Sequence, residues 1–146
     1  MSFSIILNSL ETRAAVVFPS KSQLKHVWDI TANKTLGLSN HWGIRPLSRT
    51  QVSGVTKFVT VDQGFEIILS QDFVTTSRGD ASVIDKIAEL HQDIDTFYSD
   101  LQETKAGNTD IINVSDLTVE EAEVDNNSSN VIVRGQFTIR YRYNFS

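Results

Sequence analysis

Cysteine is absent from the 146 residues, which excludes disulfides, thiolate metal sites and thiol catalysis together. Long apolar runs are also missing. The chain opens Met1-Ser2-Phe3-Ser4-Ile5-Ile6-Leu7, but polar residues recur from Asn8 onward, so nothing approaches the ~20 apolar residues of a membrane helix. That start has neither a basic n-region nor a small-residue cleavage site, so a soluble chain without an export signal is expected. Histidine occurs only at His26, His41 and His91. His26 with Asp29, and His91 with Asp95, have the three- or four-residue spacing that shares a helix face, but no HExxH or paired-His motif accompanies them. The serines form no G-x-S-x-G elbow, and the glycines form neither G-x-G-x-x-G nor a P-loop. Glu120, Glu121 and Glu123 lie along one extended segment and alternate faces, so they do not converge on one bond as a glycosidase pair would. No catalytic residue, metal or cofactor is expected.

What the chain does have is charge, unevenly placed. The net charge is −5. Between Asp85 and Asp125, twelve acidic residues face only Lys86 and Lys105, a local net of −10. Residues 1–84 carry +2, and residues 126–146 carry +3 from Arg134, Arg140 and Arg142. Such a distribution describes either an ordinary solvated surface or a polar object with an acidic and a basic side, suited to head-to-tail or ring packing. It lacks the basic footprint of a nucleic-acid binder.

The length fits one domain, 1–146. Phe3, Ile6, Leu7, Leu10, Ala14, Val17 and Phe18 recur at helical spacing, predicting an amphipathic helix capped by Ser2 or Ser4 and ended by Pro19. Residues 20–53 read as a long ordered excursion holding both tryptophans, with a short strand near Trp42–Leu47. Residues 55–76 read as two strands turning at Asp62-Gln63-Gly64, with one continuous bent strand as the alternative. A second helix begins at Asp80 or Ser82, buries Val83, Ile84, Ile87, Leu90, His91, Ile94, Phe97, Tyr98 and Leu101, and closes at Gly107. Strands are expected at Ile111–Val114 and Leu117–Val124, then a solvated turn through Asp125–Asn130.

The last strand, Val131–Phe145, has the clearest pattern. Val131, Val133, Gly135, Phe137, Ile139, Tyr141, Tyr143 and Phe145 alternate with Ile132, Arg134, Gln136, Thr138, Arg140, Arg142 and Asn144, giving an apolar-aromatic and a polar-cationic face. Such a strand either completes a sheet or offers an edge to a neighbour. Folding it back over the turn sets Glu121 near Arg134 and Ala122 near Val133. The expected fold is α+β, a largely antiparallel sheet with two helices packed on it, in the order α-β-β-α-β-β. The arginine row either meets an acidic neighbour or pairs within its own sheet. Trp28, Trp42 and Arg45 are candidate interface residues, because aromatics and arginine dominate contact energetics.

This layout resembles the tail terminator (tail completion, or head-tail joining) proteins of long-tailed bacteriophages. The resemblance is carried by the element order, by Val17-Phe18-Pro19-Ser20-Lys21 with Trp28-Asp29-Ile30, Asn33 and His41-Trp42-Gly43-Ile44-Arg45, and by the closing Val131–Tyr143 segment. It implies a non-enzymatic structural virion protein at the tail neck, made in the host cytoplasm. Such a protein forms a ring, typically a hexamer, on the head-proximal end of the tail tube, stops tube polymerisation and docks the head connector. Its implied partners are copies of itself, the tail tube protein and the head connector or completion protein, with DNA passing through the lumen unheld and no membrane involved. Another neck or baseplate ring component is the alternative within that class. A monomeric small-molecule- or peptide-binding domain, with Trp28 and Trp42 lining a pocket, is the alternative outside it. An enzyme using His41 and Asp29 is the weakest of these readings.

Overall fold

The computed structural model describes residues 3–24, 40–55, 58–73, 80–125 and 129–144. Helix α1 (Phe3–Val17) is followed by β1 (Ser22–Gln23), β2 (His41–Val55) and β3 (Phe58–Asp72). Helix α2 (Asp80–Thr104) ends in a 3-10 turn, and β4 (Ile111–Val119), β5 (Glu123–Asp125) and β6 (Asn130–Asn144) close the chain. The class is α+β with a mostly antiparallel sheet, as expected, but the expected order is not: three strands, not two, separate the helices.

The sheet runs β1-β2-β3-β6-β4, with β5 also on β6. Strand β6 pairs with β3 in unbroken register from Phe58↔Asn144 to Asp72↔Asn130. Its other side carries β4 and β5. Of the two fates the sequence left open, β6 therefore completes the sheet and offers no edge. Its alternation holds: Val131, Val133, Phe137, Ile139 and Tyr141 are buried on the helix side.

Both helices lie on that side. Ile6, Leu10 and Ala14 of α1, Phe18 just after it, and Leu90, Ile94, Phe97 and Leu101 of α2 are buried against it. Rings connect the layers in sequence: Phe3 on Phe65 (5.9 Å), Phe65 on Phe137 (6.1 Å), Phe137 edge-on to Phe97 (6.2 Å), and Phe97 beside Phe18 (5.6 Å). Each such pair contributes ~0.5–1.5 kcal/mol beyond burial. The Arg13 guanidinium donates twice to Asp100, at 2.9 and 2.6 Å, tying α1 to α2. Pro19 ends α1 because it cannot continue the ladder. Helix α2 ends three residues before the expected Gly107: the chain turns left-handed already at Lys105 and Ala106 (φ +52° and +53°), and Gly107, at φ +67°, ends the 3-10 turn that follows.

Several expectations need correction. Helix α2 starts at Asp80, the earlier of the two expected starts, which leaves Ser82 inside its first turn. Ile84, expected in the buried stripe, is 62% exposed. Strand β2 is far longer than Trp42–Leu47, because two register shifts absorb Ser48 and Val52 into the pairing with β3. The reversal expected at Asp62–Gly64 falls instead between Val55 and Phe58, and β3 is the continuous strand. All three supposed turn residues have partners inside the sheet. Asp62 accepts from Arg140. Gln63 is buried and donates to the Leu47 and Gly64 carbonyls at 2.7 and 3.0 Å. Gly64 leaves room for Leu47, whose Cβ would lie 3.1 Å from an added methyl. Strand β4 runs through Asp116, which sits at φ +62° within its second register shift, and then breaks before the short β5.

Gly135 decides how closely α2 approaches. A Cβ there would lie 2.9 Å from Ile94 Cγ2 and 3.3 Å from Ile67 Cγ2. Overpacking of this kind costs about 1–3 kcal/mol, so Gly135→Ala should lower the denaturant midpoint accordingly. The loss should shrink in an Ile94→Ala background, where the clash partner is gone. Equal losses in both backgrounds would show that this contact does not set the helix–sheet distance.

Candidate functional site

Alternation leaves the other sheet face to Asp62, Glu66, Ile68 and Ser70 of β3 and to Ile132, Arg134, Gln136, Arg140 and Arg142 of β6. At its centre is Glu66, with a side chain only 1% exposed. Arg45 Nε of β2 donates to Glu66 Oε1 at 2.7 Å, and Arg134 Nη1 reaches the same oxygen at 3.3 Å. Gln136 Nε2, directly across in register, lies 3.4 Å from Oε2 and 2.5 Å from Glu120 Oε1. Arg134 Nε also donates to Glu123 Oε1 at 3.1 Å. This is a network across four strands, β2, β3, β6 and β5, joined by Glu120 from the link between β4 and β5, with a carboxylate buried under two guanidinium groups. Further along, Arg140 grips Asp62 through both carboxylate oxygens at 2.8 and 3.1 Å. That hydrogen-bonded pairing raises the Arg140 pKa further above its ordinary value.

The structure thus distributes the candidate residues as follows. Trp28 lies outside the described residues, as do His26 and Asp29. Trp42 is 3% exposed and belongs to the core, opposite Leu69. Arg45 and Arg134 meet on Glu66, while Arg140 stands apart with Asp62. Glu121 is exposed and does not pair with Arg134. The expected hairpin register holds in β5, where Glu123 lies opposite Ile132 and Val124 opposite Val131, but β4 is offset from it by one residue. Glu121 and Ala122 fall in the gap between the two strands and do not pair with Arg134 and Val133. Arg142 is exposed and makes no ion pair among the described residues; only its backbone N–H is engaged, by the Asp110 carbonyl. Glu66, Asp62 and Glu123 were missed. For Glu66 a signal existed, a single carboxylate inside the apolar run Phe65-Glu66-Ile67-Ile68-Leu69.

Two further features adjoin this face. Leu24, Ile68 and Ile132 form a small apolar cluster beside the cross-strand pair His41 and Ser70, whose Nδ1 and Oγ are buried without a hydrogen-bond partner. At the far end of the sheet, on its helix side, exposed Arg49 lies 5.7 Å above the Tyr143 ring. Burial raises the pKa of the adjacent Tyr141 hydroxyl, with Arg49 opposing.

On the helix side, the outward surface of α2 is acidic. Gln92, Asp95, Thr96, Ser99, Asp100 and Glu103 line a shallow open depression. Asp93, at the margin of that surface, has its pKa raised by burial against the opposing charge of Lys21, whose own pKa burial lowers. Among the described residues no group of three or more His, Cys, Asp or Glu is placed to hold a metal ion. His91 is half-buried with its Nε2 unpartnered, and it and Asp95 do not form a site of that kind. No described helix is long and apolar enough to cross a membrane. No protein-family model and no curated protein matches the chain.

Removing Glu66 leaves two arginines facing each other over the sheet. Because breaking a buried pair costs about 3–5 kcal/mol, Glu66→Ala should shift urea unfolding strongly, and Arg140→Ala much less, since that pair is exposed. Similar shifts for both would mean that burial does not distinguish them. A second expectation concerns pH. A carboxyl whose folded pKa lies above its unfolded value contributes stability below the ordinary Asp range, and that contribution is lost as pH rises through the folded value. Asp93→Asn should therefore flatten the decline in stability just above the ordinary Asp pKa, as followed by thermal melts across pH.

Proposed function

We propose that the chain is a structural, non-enzymatic component of the phage tail-terminator type: a ring-forming protein at the head-proximal end of a tail tube that ends tube growth and joins tail to head connector. The observation that carries this reading is the construction of the sheet. One face is covered by both helices, and the other carries charges locked by Glu66 and Asp62. A body with two dissimilar faces suits heterologous contacts, in which different patches meet around a closed rotation. The segments 17–45 and 131–143 that resemble the terminator family add the identity of the assembly. In this role the protein would be made in the host cytoplasm and reside in the virion neck, with copies of itself, the tube protein and the connector as partners. An acidic chain would let DNA pass through the lumen, since cationic groups would bind its phosphates.

Another neck or baseplate ring component fits the same construction, and tube binding separates the two. The monomeric pocket-binding reading loses support from Trp42, which is 3% exposed and meets only a shallow open depression otherwise lined by Asn8, Glu11, Thr12, Ala15 and Gln23. Light scattering on the purified chain, followed by electron microscopy, provides the test. A ring-sized species with a central hole that caps isolated tail tubes is the expected outcome. A strict monomer that neither self-associates nor binds tubes would overturn the proposal.

A further inference from the structure

Of the three arginines in the closing strand, two are engaged inside the chain, and only Arg142 presents an exposed guanidinium that no described carboxylate neutralises. It stands at the end of the sheet where Val52 is exposed and where Arg49 is exposed on the opposite, helix-side face over Tyr143. This end is a small cationic tip on an otherwise acidic molecule. The opposite charge is concentrated on α2. Seven acidic residues there face one base, Lys86, which is held by Glu89 at 3.2 Å. Asp95 and Glu103 are exposed and make no ion pair among the described residues. Glu103 sits in the last turn, which contains no basic residue, where the helix dipole already presents negative charge. Arg13 relieves Asp100 from within, and Lys105 donates to the Gln102 carbonyl, leaving Glu103 uncompensated.

We propose that the Arg142 tip of one copy docks on the outward face of α2 of a second copy, with Asp95 and Glu103 receiving the guanidinium. This rests on the ring reading above and names the two surfaces that meet. Three observations favour a second copy as the occupant. First, the charges complement one another. Second, Arg142 lies on the helix-free face and α2 on the other, so the contact is head-to-tail and propagates from copy to copy. Third, the sheet edges are poor places for copies to join. Strand β2 carries Pro46 and two register shifts, and β4 carries two shifts and the left-handed Asp116. Prolines and bulges are the devices that discourage edge-to-edge pairing.

The test uses the full chain, with sedimentation velocity over a concentration series. Arg142→Glu should weaken self-association at least about 100-fold, because like charges in an interface cost several kcal/mol. The pair Asp95→Lys, Glu103→Lys should do the same, and each variant should keep the wild-type melting temperature within a few degrees. Mixing the two variants should restore the large species, since each reversed surface then finds its complement. If both variants assemble as the wild type does, the proposed contact is wrong while the ring reading stands. If mixing restores nothing although each variant is folded, the two surfaces do not meet and the proposal also fails. A wild-type chain that stays monomeric at every concentration overturns this contact and the solution assembly it rests on.

Discussion

The register between β3 and β6 is the constraint on which the rest depends. These strands pair without interruption over their full lengths. That single alignment places Phe137 against Phe65, Gly135 beside Ile67 under α2, Arg140 over Asp62 and Gln136 over Glu66. A slip of one residue would turn Arg134 and Arg140 into the helix bed and Phe137 and Ile139 into solvent. Both faces of the sheet oppose the slip, one through burial and the other through charge. Strand β2 then reads the same alignment from the other side, bringing Arg45 opposite Glu66. The helix packing and the polar network are thus two consequences of one pairing.

Where a segment had one strong period, the sequence was sufficient. Strand β6 alternates without error, and α1 buries the residues its spacing selects. Ile84 escaped because the start of a long helix can overhang the layer it packs on, which periodicity cannot register. Asp62-Gln63-Gly64 misled for a different reason. Turn propensity is local, whereas Asp62 is held by Arg140, 78 residues away in sequence, and Gln63 by the Leu47 carbonyl. Ser48–Gln51 looked like loop because bulges break the alternation that identifies a strand. The interface candidates fared unevenly on the same grounds. An arginine's availability depends on which carboxylate lies across the sheet, and that follows from register, which the chain does not display. Glu121 and Glu123 are two positions apart, and the gap in pairing between β4 and β5 leaves the first outside the ladder and the second inside it.

The two ion-pair systems on the helix-free face differ in kind. Asp62–Arg140 is solvated at its edge, and such pairs add little net stability. Glu66 is enclosed, and its charge is tolerable only while Arg45, Arg134 and Gln136 satisfy its lone pairs. An apolar residue there could hold the sheet equally well. What the carboxylate adds is selectivity among arrangements: three strands must be in register before it is satisfied, so misaligned pairings bear its desolvation unrelieved. A charged face is thereby fixed in one geometry.

Fixed geometry matters for any chain that associates through patches on opposite sides. Head-to-tail contacts yield a closed ring only if the rotation from one patch to the other is constant; otherwise they yield open filaments of mixed length. Constancy requires that the body between the patches not flex. Here that body is crossed by the ring sequence from Phe3 through Phe65, Phe137 and Phe97 to Phe18, by the Arg13–Asp100 clamp, and by the close seat of α2 on Gly135. Each joins a helix to the sheet or to the other helix, so the outward face of α2 and the cationic tip move as one. Loosening any of these joints while leaving both patches intact would relax the angle between them, and a change from closed to open assemblies would follow before any loss of folding.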